Sequence, residues 1–193
     1  MSTFVISGLG NPGPQYQWTR HNAGFLFLDR LAHLENISIT RKSFSGLAGE
    51  WGRKGDRLVL LKPQTFMNLS GRAVIQALQF YKLPLSQLIV VHDELDLPFG
   101  AARFKQGGGH GGHNGLRSIM EQLGKGDFLR LRIGIGRPPK GDTTGYVLGN
   151  IPPEQMESLP RVLDGGLEML ETMLDEGLPK AMSLYNNRNF LEG

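Results

Sequence analysis

Short apolar runs alternate with longer amphipathic stretches along this chain, and the alternation directs it to an α/β architecture. Phe4-Val-Ile-Ser-Gly8 reads as a buried first strand, closed by the loop Asn11-Pro-Gly13. Phe25, Leu28, Leu31 and Ala32 then form a helical stripe over Asn22 to Glu35, with Asn22 placed as its cap. Residues 46–52 and 57–62 flank Arg53-Lys-Gly-Asp56, a hairpin with its turn at Gly55. A second helix is marked by Leu69, Ala73, Val74, Ala77, Leu78 and Tyr81. Leu88-Ile-Val-Val91 is a short buried strand that stops at His92-Asp93-Glu94. Residues 101–105 form another strand, and 116–123 a helix. Residues 128–135 alternate apolar with basic or small residues, as a half-exposed strand does. Leu159, Leu163, Leu167, Leu170 and Leu174 define a C-terminal helix, with Pro160 expected in its first turn. No repeat or linker divides the chain, so residues 1–193 are expected to form one α/β domain with some antiparallel pairing.

Composition narrows the function. With no cysteine, the chain has no disulfide, no thiolate nucleophile and no cysteine-bound zinc or iron–sulfur centre. No apolar run approaches the ~18–20 residues that span a bilayer. The Met-Ser-Thr-Phe-Val-Ile-Ser-Gly start has no basic region followed by a long apolar one, so a cytoplasmic location is expected. Charge is uneven. Residues 97–140 carry eight lysines and arginines against two acids, whereas 151–193 carry eight acids against three bases. The basic segment suits a polyanion, with phosphates the obvious candidates, although a solvated strand and helix surface has the same composition.

The basic segment contains Lys105-Gln-Gly-Gly-Gly-His-Gly-Gly-His-Asn-Gly115, in which six of eleven residues are glycine. Such a backbone takes positive φ angles and lets a ligand approach its N–H groups. Simple turning does not require His110, His113 and Asn114 among those glycines. The stretch leads into a helix, with Asn114 as candidate N-cap, and so lies at a dipole end that holds an anion or a developing negative charge.

Four loops carry unpaired polar side chains: residues 10–21, Thr65-Phe-Met-Asn68, His92-Asp93-Glu94, and 110–114. In an open α/β sheet, ligands bind where strands deliver their carboxyl ends, which is where Asp93 lies. A neutral imidazole takes a proton from water near neutral pH, and a carboxylate on its other nitrogen fixes the tautomer. His21 with Asp93 is the favoured pairing; His92, His110 and His113 are rival bases. Asn11, Asn68 and Asn114 are neutral donor–acceptors suited to a carbonyl, hydroxyl or oxyanion. Plainer readings stand beside these. Asn11-Pro-Gly is an ordinary turn sequence, Asn68 caps the second helix, and Asp93-Glu-Leu-Asp96 is a solvated acidic turn. His110 and His113, with Asp93 or Glu94, form a metal-site alternative that lacks helical spacing and rigid support. Neither a phosphate-binding Gly-Lys-Ser/Thr nor a Gly-x-Ser-x-Gly nucleophile elbow is present.

In order, Gly8-Leu-Gly-Asn-Pro-Gly13, Thr19-Arg-His-Asn-Ala-Gly24, Lys62-Pro-x-Thr-Phe-Met-Asn-Leu-Ser-Gly71, His92-Asp-Glu-Leu-Asp-Leu-Pro98, Gly107-Gly-Gly-His-Gly-Gly-His-Asn-Gly115 and Arg130-Leu-Arg-Ile-Gly-Ile-Gly136 resemble the bacterial-type peptidyl-tRNA hydrolases. The resemblance implies a single three-layer domain with a central mixed sheet flanked by helices. It further implies cleavage of the ester between a peptide and the 3′ ribose of tRNA, with no cofactor or metal, by a monomer. By position, His21 resembles the catalytic base and Asp93 its orienting carboxylate. Asn11, Asn68 and Asn114 match substrate-positioning asparagines, and Tyr16, Met67 and His113 match residues lining the same cleft. Lys105 and Arg132 match a basic pair that grips the 5′ phosphate of tRNA. The alternatives are a non-catalytic RNA-binding protein of the same fold, or a metal-dependent hydrolase using His110 and His113. Segment 137–150 is a candidate lid beside the cleft.

Overall fold

The structure, a computed structural model, describes residues 1–192. One sheet contains β1 (Thr3–Gly8), β2 (Arg41–Ser43), β3 (Gly46–Arg53), β4 (Asp56–Pro63), β5 (Leu88–Glu94), β6 (Ala102–Gln106) and β7 (Leu129–Gly134). Its order is β2-β3-β4-β1-β5-β7-β6. The inner pairs β4–β1, β1–β5 and β5–β7 are parallel, and the outer pairs β2–β3, β3–β4 and β6–β7 antiparallel. The sheet is therefore mixed. The helices are α1 (Ala23–Glu35), α2 (Ser70–Tyr81), α3 (Asn114–Leu123), α4 (Thr143–Val147), α5 (Pro153–Glu176) and α6 (Leu178–Tyr185).

Neighbouring strand residues feed opposite cores, and this explains the unbroken apolar runs. Ile6, Leu58, Leu60, Ile89, Val91, Leu131 and Ile133 pack with α1, α5 and α6. Val5, Val59, Leu61, Leu88 and Val90 pack on the other face with α2 and α3. Truncating one of these side chains to alanine costs about 2–5 kcal/mol, lost transfer energy plus the cavity left behind. The sheet's β6 edge is closed by the amide of Asn186, which accepts the Phe104 N–H at 3.0 Å and donates to its carbonyl at 3.1 Å.

A close approach at Gly24 positions the site. A Cβ there would lie 2.3 Å from the Leu9 nitrogen and 2.4 Å from the Val91 oxygen. Glycine thus lets the start of α1 rest directly on the carboxyl ends of β1 and β5. The helical turn Arg20–Asn22, just before it, is thereby held against the end of β5.

Several expectations are corrected. Strand β5 does not stop at Val91 but runs through His92 and Asp93 to Glu94, so Asp93 is buried in the sheet and is no solvated turn. Strand β7 is not half exposed: Leu129, Leu131 and Ile133 face one core, and on the other face Arg130 is buried beneath the glycine loop whose carbonyls it bonds. Pro160 lies inside α5, whose first turn is set instead by Pro153. A mid-helix proline costs about 3 kcal/mol. Burial of Leu159, Val162, Leu163, Leu167 and Leu170 on the same helix opposes that cost. Asn22 holds the N-cap position of α1 as expected but makes no side-chain capping bond, and Asn114 does not cap α3, whose N-cap is His113. Asn68 does not cap α2 either, whose N-cap position is Leu69.

Candidate active site

A cleft of about 690 Å³ opens at the carboxyl ends of the central strands. All the site residues named from the sequence line it: Asn11, Tyr16, His21, Met67, Asn68, Asp93, Lys105, His113, Asn114 and Arg132. They come from the loops after β1 and β4, the end of β5, the β6–β7 ribbon and the start of α3.

Asp93, 3% exposed, is the hub. Its Oδ2 lies 2.8 Å from Nδ1 of His21, and its Oδ1 lies 2.8 Å from Nε2 of His113. The Nδ1 of His113 accepts the N–H groups of Gly115 and Leu116, at 3.1 and 3.3 Å. An atom that accepts two amide protons carries none itself, so His113 has its proton on Nε2 and donates to Asp93. His21 likewise donates from Nδ1 to the carboxylate. Its Nε2, the lone-pair nitrogen, is not among the buried unpartnered atoms and faces the cleft.

Electrostatics reinforce that arrangement. Burial alone would raise the Asp93 carboxyl, but the adjacent imidazoles of His21 and His113 hold it well below the usual carboxylate range. Burial opposes charging His21, yet the charge and hydrogen bond of Asp93 outweigh it and raise the imidazole above its ordinary 6.5. His92 behaves oppositely. It is wholly buried and lies beside His113, its Nδ1 donates to the Asp93 carbonyl at 2.7 Å, and it is pushed down to about 3. His92 is thereby the weaker rival base, since its Nε2 is buried from solvent without a partner.

The other rivals separate as well. His110 Nδ1 accepts the Gly112 N–H at 3.0 Å within its own loop. Among the described residues, the trio with metal-ligand spacing is His21, Asp93 and His113, not a set built on His110 and His113. Within that trio both carboxylate oxygens already accept imidazole hydrogen bonds at 2.8 Å, the pattern of a base with its orienting partners.

The basic ribbon also divides in two. Register places Arg103 opposite Arg132 and Lys105 opposite Arg130, all on one face. Arg130 is not a surface cation: it donates to the carbonyls of Gly109, Gly108 and Gly126 and packs over Phe128. It holds the glycine loop in place. Arg130, Lys105 and Arg132 all line the cleft, but Lys105 and Arg132 do not clamp the glycine loop; Arg132 lies 3.7 Å from Glu94.

Sequence reasoning missed two contributors, Asn22 and Phe66, and had marked the segment that holds a third. Asn22 bonds the main chain of Asn11 at 2.8 and 3.0 Å, whereas its spacing before α1 had suggested only a cap. Phe66, 50% exposed, lies at the cleft mouth with φ of 61°, edge-on to Tyr16 at 6.3 Å. A bulky residue is rarely held in that conformation except where its surroundings dictate it. One wall, Thr143, Thr144, Val147 and Leu148, comes from α4 and its end, within the segment singled out as a lid.

Comparisons with known proteins bear on the family and the fold. The family model described as peptidyl-tRNA hydrolase matches residues 5–192. The chain is 82% identical over 192 residues to a peptidyl-tRNA hydrolase of Pelobacter propionicus, covering all of both chains. It is 74% identical over 193 residues to that of Trichlorobacter lovleyi, again covering both completely. Among solved structures, peptidyl-tRNA hydrolase from Acinetobacter baumannii superposes with a TM-score of 0.90 at 39% identity, covering 97% of this chain and 96% of that one.

Proposed function

This chain belongs to the peptidyl-tRNA hydrolase family, and from that premise we propose how its cleft cleaves the ester between a peptide and the 3′ ribose of tRNA. The observation that carries the mechanism is the Asp93–His21 contact, which leaves Nε2 of His21 unprotonated at the cleft. His21 removes a proton from water, and the hydroxide forms a bond to the ester carbonyl carbon. The tetrahedral oxyanion is met by neutral donors, for which Asn11, Asn68 and Asn114 supply side-chain amides. The carbon–ribose oxygen bond then breaks, and the imidazolium returns its proton to the leaving 3′ oxygen. Asp93 stays ionised throughout, holding the ring and stabilising its cation. No step calls for a cofactor or a covalent enzyme intermediate.

Lys105 and Arg132 give the tRNA end a sequence-independent phosphate contact, the class of interaction an acceptor stem requires. Tyr16 and Met67 shape the pocket beside the asparagines, and His113 acts through Asp93. The working unit is a single domain acting as a monomer in the cytoplasm. No helix of the described residues is long and apolar enough to cross a membrane.

The test is release of the acyl group from an N-acetyl-aminoacyl-tRNA in EDTA, with unblocked aminoacyl-tRNA alongside. Rapid cleavage of the blocked substrate, lost in His21→Ala, is expected. A folded His21→Ala enzyme with near-normal turnover would remove His21 as the base. Tight tRNA binding without cleavage would turn the reading into an RNA-binding protein, and activity that required added metal would turn it into a metallohydrolase.

A further inference from the structure

Asn22 follows the base directly in sequence, yet its side chain serves neither His21 nor the helix it precedes. It is 2% exposed. Its Oδ1 accepts the main-chain N–H of Asn11 at 2.8 Å, and its Nδ2 donates to the Asn11 carbonyl at 3.0 Å. One side-chain amide thus pairs with both polar main-chain groups of a single residue, as a neighbouring strand would. Asn11 in turn accepts the Met67 N–H through Oδ1 at 2.7 Å. A main-chain N–H only donates, so the atom facing Met67 is oxygen and the Nδ2 of Asn11 is left for the cleft.

We propose that Asn22 is a positioning residue, which fixes the main chain of Asn11 so that the Asn11 amide presents N–H donors to the substrate. The inference rests on the reading that Asn11 serves the substrate. Its consequence is geometric. The base and a donor are placed by adjacent residues of one turn, so their separation does not depend on the conformation of the loop between residues 11 and 20. Asn186 makes the same amide pairing with Phe104 at the sheet edge, away from the cleft, and supplies an internal control for a purely structural role.

The experiment is a double-mutant cycle of Asn11→Ala and Asn22→Ala, reading kcat, KM, the pH profile and thermal stability on N-acetyl-aminoacyl-tRNA. Misplacing a reacting group by about 1 Å costs up to ~100-fold, so Asn22→Ala is expected to lower kcat by about tenfold or more. In the Asn11→Ala background the same change should cost less than about twofold, because coupled residues are non-additive. The acid limb of the pH profile should not move, since Asp93 and His21 are untouched. Asn186→Ala should lower stability and leave kcat unchanged. Asn22→Asp keeps the acceptor for the Asn11 N–H and loses the donor. It replaces Asn22→Ala if the alanine variant fails to fold, with the same expectation for kcat and for non-additivity; the acid limb is read in Asn22→Ala or Asn22→Ser, which add no charge beside His21. Full additivity would overturn the proposal alone, as would a shifted acid limb, which would show that Asn22 acts on His21. An inert Asn11→Ala would overturn the reading of Asn11 and this proposal with it.

Discussion

His113 donates from Nε2 to Oδ1 of Asp93 at 2.8 Å, on the carboxylate oxygen opposite the one that holds His21. Because its Nδ1 also accepts two amides at the start of α3, one imidazole both caps that helix and anchors the carboxylate bonded to His21. The His113 and His21 rings are 5.0 Å apart. His113→Ala removes both the helix cap and the donor to Asp93. A lost cap costs about 0.5–2 kcal/mol, and a lost charge-assisted bond to a buried carboxylate about 1.5–3 kcal/mol. His113→Asn restores an acceptor for the cap but is too short to reach Asp93. Thermal melts should show asparagine recovering part of the lost stability, while kcat stays reduced about tenfold in both variants, a barrier change of ~1.4 kcal/mol. Wild-type kcat in His113→Ala would refute the positioning role.

The pH dependence of kcat/KM follows from the raised value of His21. The base works when neutral, so activity falls as pH drops through a limb above 6.5, the ordinary imidazole value. Asp93→Asn removes the charge that outweighs burial, so the limb should move to lower pH while kcat falls by about 10²–10⁴. A limb that stays in place in Asp93→Asn would mean that another group controls it.

Much of this site is legible in the sequence because glycines, asparagines and histidines cluster in loops where a packed core has no use for them. Two-sided burial hid the remainder. A strand covered on both faces tolerates His92, Asp93 and Arg130 among apolar residues where hydrogen bonds hold them, and periodicity reports none of those partners. Arg130 therefore reads as a surface cation when it is in fact a clamp on three loop carbonyls. Asn22 holds the N-cap position yet turns its amide to Asn11, because asparagine before a helix resembles a cap whichever way its amide faces. Pro160 shows the reverse error, in which a local preference against mid-helix proline yields to burial along the rest of α5.

Acid stability should depend on His92. Its depressed value, about 3, means that the unfolded chain binds this proton below 6.5 while the folded one does not until far lower. Its contribution is present above 6.5 and is lost as pH falls through that window. His21 has the opposite sign, contributing below 6.5 and losing that contribution as pH rises through its raised folded value. The depressed Asp93 adds an acid loss only below the carboxylate range. His92→Asn keeps a donor for the Asp93 carbonyl and removes the titration. Denaturant melts between pH 7 and pH 4 should show a flatter decline for this variant; parallel declines would remove His92 as a cause.

Lys105 and Arg132 differ from Arg130 in a way that salt can report. Neutralising either cleft cation should weaken tRNA binding and reduce the slope of log K against log salt by about 1 per lost phosphate contact. Arg130→Met should leave the slope alone and lower stability, since it frees the carbonyls of Gly108, Gly109 and Gly126. A slope change in Arg130→Met equal to that in Arg132→Met would return Arg130 to the tRNA-contacting set.

The α4 wall is fastened to the residue preceding the base. Arg20 donates to the Tyr146 carbonyl at 3.0 Å, and its guanidinium lies 4.0 Å above the Tyr146 ring. The Tyr146 hydroxyl donates to the Ile135 carbonyl at 2.6 Å, and the Arg20 main-chain N–H donates to Gly149 at 3.0 Å. Arg20→Ala keeps the main-chain bond but removes the guanidinium from Tyr146, and Tyr146→Phe removes the bond to Ile135. Each side-chain hydrogen bond contributes about 0.5–1.5 kcal/mol, which corresponds to a loosening of the wall by roughly 2–10-fold. Thr143, Thr144, Val147 and Leu148 line the cleft, whereas His21 and Asp93 are fastened independently. Both variants should therefore raise KM by several-fold with kcat held within about twofold, the signature of lost binding common to ground and transition states. A fall in kcat at unchanged KM would show instead that Arg20 acts through its neighbour His21.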